Sequence, residues 1–145
     1  MTKKRFLLIL IIICPFAAEF PAEVALACSC AEMPGLDAAV NDASNVFTGR
    51  VVNVKKSAFR EGQNEVQLSI VRAYRGEILE GNLDQITVYT PNTDDKCQFD
   101  FQRDQDYVVF TTGNLAYLKV DRCGRTAQME SSMEDIEALD KKFPR

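Results

Sequence analysis

The sequence predicts a mainly β domain: a small closed or nearly closed barrel of five strands, with one short amphipathic helix before it and another packed on it at the carboxyl end. Three observations lead there. Five β-branched or alternating runs are separated by turn residues, helical spacing of apolar residues occurs only at the two flanks, and no internal repeat or low-complexity linker divides the chain. The five-stranded OB-type Greek-key barrel is the natural candidate, although patterning alone does not rank it above other small all-β barrels.

The elements follow in order. After Pro34-Gly35, the run Leu36 to Ala43 places Leu36, Ala39, Val40 and Ala43 on one side at helical spacing. Val46 to Val54 is β-branched and half polar, a first strand in which Gly49 marks a bulge or tight bend. Lys55 to Asn64 is a polar hairpin loop whose Lys55, Lys56 and Arg60 are expected to be solvated. Glu65 to Tyr74 is a second strand with Val66, Leu68 and Ile70 alternating onto one face, and residues 77–83 are a connection. Gln85 to Thr90 is a third strand, stopped by Pro91-Asn92. A charged loop then runs into Cys97, and Tyr107 to Thr112 forms a fourth strand. Thr112-Gly113-Asn114 is expected to be a tight hairpin into a fifth strand, Leu115 to Asp121. In the tail, Ser131 with Glu134 three residues on reads as a capping box, and Met133, Ile136, Leu139 and Phe143 form an apolar stripe expected to dock on the barrel.

Residues 1–27 have the plan of a signal peptide: Lys3, Lys4 and Arg5, then the apolar run Phe6 to Ile13, then the small-x-small site Ala25-Leu26-Ala27. The apolar run is too short for a spanning helix, which needs ~20 residues. A secreted protein of residues 28–145 is therefore expected, one domain of 118 residues with no membrane association once the leader is cut. Cleavage before Cys28 would leave a cysteine carrying the free α-amino group. A lipoprotein signal would instead acylate Cys28, but Ala25 replaces the preferred Leu, and the polar-interrupted stretch from Glu19 favours ordinary cleavage.

The whole chain has a formal charge of −4 and a pI of about 4.9, and loss of the leader takes the charge to −5. That sign argues against nucleic acid or an anionic membrane as partner, since affinity for both comes from Lys and Arg. The chain has no histidine, which excludes a Ser-His or Cys-His nucleophile pair and removes the commonest metal ligand. Asp94/Asp95 and Glu134/Asp135 are adjacent carboxylates that read as solvated groups, so no enzyme activity and no cofactor are expected.

Of the five cysteines, Cys14 would leave with the leader, and Cys28, Cys30, Cys97 and Cys123 form an even set in an oxidising compartment. Four cysteines allow three pairings. Cys28 with Cys30 is the least favoured, because residues two apart in an extended segment lie roughly 6 to 7 Å apart. A four-thiolate metal site fits poorly, since structural zinc sites use cysteine pairs spaced by roughly two to four residues.

Several short motifs recur in a recognisable order: Cys28-Ser29-Cys30 behind the cleavage site; Ala-Ser-Asn-Val-Phe-Thr-Gly-Arg-Val-Val at 43–52; Val-Gln-Leu-Ser-Ile-Val-Arg-Ala-Tyr-Arg-Gly at 66–76; Cys97; Phe101 with Tyr107-Val108-Val109-Phe110; and Cys123. This order resembles the netrin-like domain, and in particular the N-terminal domain of the tissue inhibitors of metalloproteinases, along nearly all of residues 28–123. The resemblance implies an OB-type barrel with Cys28 bridged to Cys97 and Cys30 to Cys123. It implies an exported monomeric inhibitor of zinc metalloendopeptidases, in which the amino nitrogen and carbonyl oxygen of Cys28 chelate the target's zinc and Ser29 enters its substrate pocket. Cys28, Ser29, Cys30 and Ala31 would form the inhibitory wedge, flanked by Asp94, Asp95 and Lys96; Cys28 would be a metal ligand only to the protease's zinc.

The chain departs from those inhibitors at several points. It has no cysteine in the first helix, no second domain is expected, Glu32-Met33 stands in a proline-rich stretch, charged residues stand at 94–96, and Gln98 replaces a glycine. The second expectation is therefore a secreted netrin-like protein-binding module that inhibits nothing.

Overall fold

The computed structural model of the chain describes Cys30, residues 32–92 and residues 98–145. The leader and the expected site residues Cys28, Ser29, Ala31, Asp94, Asp95, Lys96 and Cys97 lie outside the described residues. Helix α1 (Leu36–Asp42) leads into β1 (Asn45–Lys56), which turns back as β2 (Gln63–Arg75). A short helix α2 (Glu77–Gly81) connects to β3 (Gln85–Pro91). Strands β4 (Asp106–Asn114), β5 (Tyr117–Lys119) and β6 (Ala127–Gln128) follow, then a 3-10 turn (Met129–Ser131) and helix α3 (Met133–Lys142).

The strands run in the order β1-β2-β3-β5-β4, and pairing of β1 with β4 closes the ring. Among the described strands only β3 and β5 are parallel neighbours, with Val88 opposite Leu118, which requires the Greek-key crossover of an OB-type barrel. The two-residue β6 pairs with Tyr107 and Val108 of β4. Register breaks in β1 at Val46/Phe47, Thr48/Gly49 and Val51/Asn53 let one strand bend around the barrel and pair with both β2 and β4. Gly49 sits at one of these breaks. A Cβ there would stand 2.9 Å from the Ser69 carbonyl oxygen and 3.3 Å from the Phe47 ring.

Alternation divides the apolar residues into two layers. Phe47, Val51, Val66, Leu68, Val88, Tyr107, Val109 and Leu118 fill the barrel, and Ile78 of α2 and Phe101 join the same cluster. Val46, Tyr74, Val108 and Phe110 face outward, beneath Ala39, Val40 and Ala43 of the first helical segment and Ile136 and Leu139 of α3. The unbroken run Tyr107-Val108-Val109-Phe110 is apolar because β4 is buried on both faces. Both helices dock as their stripes predict, except that Met133 is 53% exposed.

Four local expectations are corrected. Residues 77–83 contain α2, which takes its first anchor from the Asn45 side chain, whose Oδ1 accepts the Ile78 N–H at 3.1 Å. The hairpin is not at Thr112-Gly113-Asn114: β4 continues through Asn114, and Leu115-Ala116 make the turn. Gly113, at φ 96°, pairs with Leu118 where a Cβ would collide with the Tyr117 carbonyl oxygen. The Asn114 Oδ1 accepts the N–H groups of both Ala116 and Tyr117 at 3.1 Å and sets the turn. The fifth strand is accordingly Tyr117–Lys119 rather than Leu115 to Asp121, since the chain turns away to reach Cys123. Finally, Ser131 does not cap α3. It lies in the 3-10 turn with its hydroxyl donating to the Gln128 carbonyl, and Ser132 holds the N-cap position without a side-chain cap bond. Among the described residues no helix is long and apolar enough to cross a membrane.

Candidate functional site

The expected site gathers the first residues of the exported chain, the loop before Cys97 and the turn at Cys123. Of its cysteines, Cys30 and Cys123 are described, and they are bonded, with Cα atoms 5.2 Å apart and 93 residues of sequence between them. This bond rules out pairing of Cys30 with Cys28 or with Cys97. The partner of Cys28 lies outside the described residues, as do Ser29, Ala31, Asp94, Asp95 and Lys96.

The barrel brings the described flanks of two of these stretches to one end. Strands β3 and β5 are adjacent and parallel, and the pairing continues to Val120, whose N–H donates to the Tyr89 carbonyl at 2.8 Å. The chain therefore leaves both strands at the same end of the barrel, toward residues 93–97 from one and toward Cys123 from the other. The described flanks of residues 93–97 are both tied down. Asn92 N–H donates to the Gly62 carbonyl at 2.7 Å, and Phe99 N–H donates to the Thr90 hydroxyl oxygen at 3.1 Å. The turn holding Cys123 is shaped by Asp121, whose Oδ1 accepts the Gly124 N–H at 2.8 Å. Just beyond, the buried Thr126 hydroxyl oxygen accepts the Phe110 N–H at 2.9 Å and fixes the segment to β4.

A second attachment lies two residues past Cys123. Arg125 donates through Nε and Nη2 to the two carboxylate oxygens of Asp135 on α3, at 2.7 and 2.8 Å, and through Nη1 to the Pro34 carbonyl at 2.7 Å. The Arg125 and Asp135 side chains are 25% and 17% exposed, so the pair is partly withdrawn from water. The hydrogen bonds from Asp135 raise the Arg125 guanidinium pKa further above its ordinary value. Of the adjacent carboxylates Glu134 and Asp135, then, the second is committed to an ion pair while Glu134 is exposed.

Clefts open on two sides of the amino-terminal segment. One, of about 260 Å³, is lined by Pro34, Ala39, Ala43, Phe110, Cys123 and Arg125 among others. The other, of about 510 Å³, includes Met33, Arg125, Glu130, Met133 and Asp135. Among the described residues no group of three or more His, Cys, Asp or Glu side chains is arranged to hold a metal.

Two features escape a reading of the sequence. Arg125 and Asp135 carry no motif, and only the fold brings them to Pro34. Arg60, expected to be solvated, lies over the Tyr117 ring at 3.8 Å and the Tyr89 ring at 5.1 Å, while Lys55 pairs with Glu65 at 3.1 Å. The hairpin loop is thus fastened to the barrel wall. No protein-family model matches the chain and no curated protein matches it significantly, so the netrin-like resemblance rests on the residues quoted for it.

Proposed function

We propose that the protein is an exported, netrin-like inhibitor of zinc metalloendopeptidases that acts through the amino group and carbonyl of a mature N-terminal Cys28. The observation that carries this reading is the Cys30–Cys123 bridge, which anchors the residue two places beyond the expected cleavage site to the end of an OB-type barrel. A catalytic zinc keeps one coordination position open for water. A terminal amine and the carbonyl of the same residue can occupy it as a five-membered chelate, once the amine, with an ordinary pKa of about 8, has lost its proton. A wedge held by its disulfides loses little conformational entropy on binding. Ser29 would enter the substrate pocket, and Ala31 and the loop Asp94 to Lys96 would flank the cleft.

The charges of Asp94 and Asp95 favour a second reading, a secreted netrin-like module that binds another protein without inhibiting. Carboxylates brought close to the catalytic glutamate that such proteases carry would be repelled.

Two measurements separate the readings. Intact mass of the exported protein should give a chain starting at Cys28 and about 4 Da below its reduced form; a start at Glu19 would end the chelation mechanism and leave the fold untouched. One alanine inserted before Cys28 should weaken inhibition of a susceptible zinc endopeptidase by orders of magnitude, more than the roughly 10–100-fold that loss of an outer-shell partner of a metal ligand costs. If the correctly processed protein inhibits no member of a panel of such enzymes, the binding-module reading stands.

A further inference from the structure

Among the described residues, the amino-terminal segment is attached to the barrel at two points of different kind. Cys30 is covalently joined to Cys123, and four residues later the Pro34 carbonyl accepts from Arg125, itself two residues past Cys123. A segment held at one point can swing about it, whereas two points define a direction. Pro34 suits the second point because its ring restricts φ, so a grip on its carbonyl constrains the chain on either side. Gly35 follows as the N-cap of α1, and its carbonyl accepts the Ala39 N–H at 2.9 Å.

The donor is held in turn. Two of the Arg125 hydrogen bonds go to Asp135 in the parallel fork that a planar guanidinium and a carboxylate form, and lysine cannot reproduce that geometry. The fork leaves Nη1 aimed at Pro34. An ion pair that only stapled α3 to the barrel would need no third bond, and α3 is already docked by Ile136 and Leu139. Arg125 also lines both clefts beside the segment, one with Pro34 and the other with Met33. Its side chain stands where the segment would otherwise move into either.

We propose that Arg125 and Asp135 are positioning residues: the fork presents Nη1 to the Pro34 carbonyl, so that Pro34 is held at a fixed place relative to the Cys30–Cys123 bridge and α3 becomes part of the mount for the amino terminus. Its consequence for inhibition rests on the inhibitor reading, while the mechanical statement does not.

The test uses the full exported chain with its natural terminus, as wild type and as the variants Arg125→Lys and Asp135→Asn. Hydrogen exchange read by mass spectrometry should be about tenfold faster in the peptide covering residues 35–43 of both variants, where the Ala39 N–H donates to the carbonyl of Gly35 next to Pro34, the scale of losing one hydrogen bond to a charged group, with β1 to β4 unchanged. The unchanged strands show that the barrel is folded. Exchange that is unaltered at 35–43, or that rises equally throughout the barrel, overturns the proposal by assigning the pair no role or a purely global one. In parallel, the inhibition constant of each variant against a zinc endopeptidase that the wild type inhibits should rise by about the same factor. Faster local exchange with unchanged inhibition would sever the mount from the inhibitory wedge and overturn the functional part. Absence of inhibition by the wild type itself would sink the inhibitor reading and leave the exchange result to decide the mount alone.

Discussion

Tyr74 shows how much one polar tip can organise. Its ring is 4% exposed beneath α3, and its hydroxyl donates to the Asp140 carboxylate at 2.9 Å. Arg72 lies over the same ring at 4.8 Å, donates to Asp140 at 2.6 Å and reaches the Phe143 carbonyl at 2.7 Å. The last turn of α3 is thereby tied to β2 by two side chains, Tyr74 and Arg72, that share the Asp140 carboxylate. Burial, and then the hydrogen bond to Asp140, push the Tyr74 phenol up to about 12. A raised folded-state value means that the folded form holds its proton longer. The associated stability is complete below the unfolded value of about 10 and is lost as pH rises toward 12. Absorbance at 295 nm should show one tyrosine ionising near 12 that Tyr74→Phe removes. The stability difference between wild type and Tyr74→Phe should also shrink over that interval, and a difference constant with pH would contradict the assignment.

At the scale of the element, legibility follows how local the cause is. The strand Tyr107 to Thr112 announces itself by its unbroken apolar, β-branched run and the helix around Ile136 and Leu139 by its own periodicity, both of them local signals. Helix α2 does not, since Glu77–Gly81 is short and its first buried N–H is satisfied by Asn45, on a different strand 33 residues away. Asn45→Ala leaves the Ile78 N–H without its partner and should cost about 1–3 kcal/mol in a urea titration, with faster exchange confined to residues 77–81. A loss below experimental error would mean that α2 stands without this cap. The β4–β5 turn was misplaced for a related reason. Glycine and asparagine at 113 and 114 look like the turn itself, yet they are the last residues of β4, and the space left by the Tyr117 carbonyl decides their use.

At the scale of the whole molecule, one covalent bond joins the stretch before α1 to the turn between β5 and β6. Cys30–Cys123 closes a loop with a sequence separation of 93, for which the chain-entropy account gives roughly 4–5 kcal/mol as an upper figure. Against the ~5–15 kcal/mol by which domains of this kind are stable, that is a large share. Replacing Cys30 and Cys123 together by serine should lower the urea midpoint by an amount equivalent to at least about 2 kcal/mol, and an unchanged midpoint would place the bond outside the folding energetics.

By itself the sequence determined a mainly β domain with two flanking helices, an acidic charge, the absence of histidine chemistry and an even set of cysteines after residue 27, where cleavage is expected. Those properties are local or additive along the chain, so they can be read without knowing which residues meet. Only the tertiary structure decided the closure of β1 on β4, the choice of Cys123 as the partner of Cys30, and the meeting of Arg125, Asp135 and Pro34. Each joins residues from distant parts of the chain, and each depends on a strand order that no short stretch encodes. Barrel closure brings the ends of β3 and β5 together, and everything proposed for the amino terminus is built on that end.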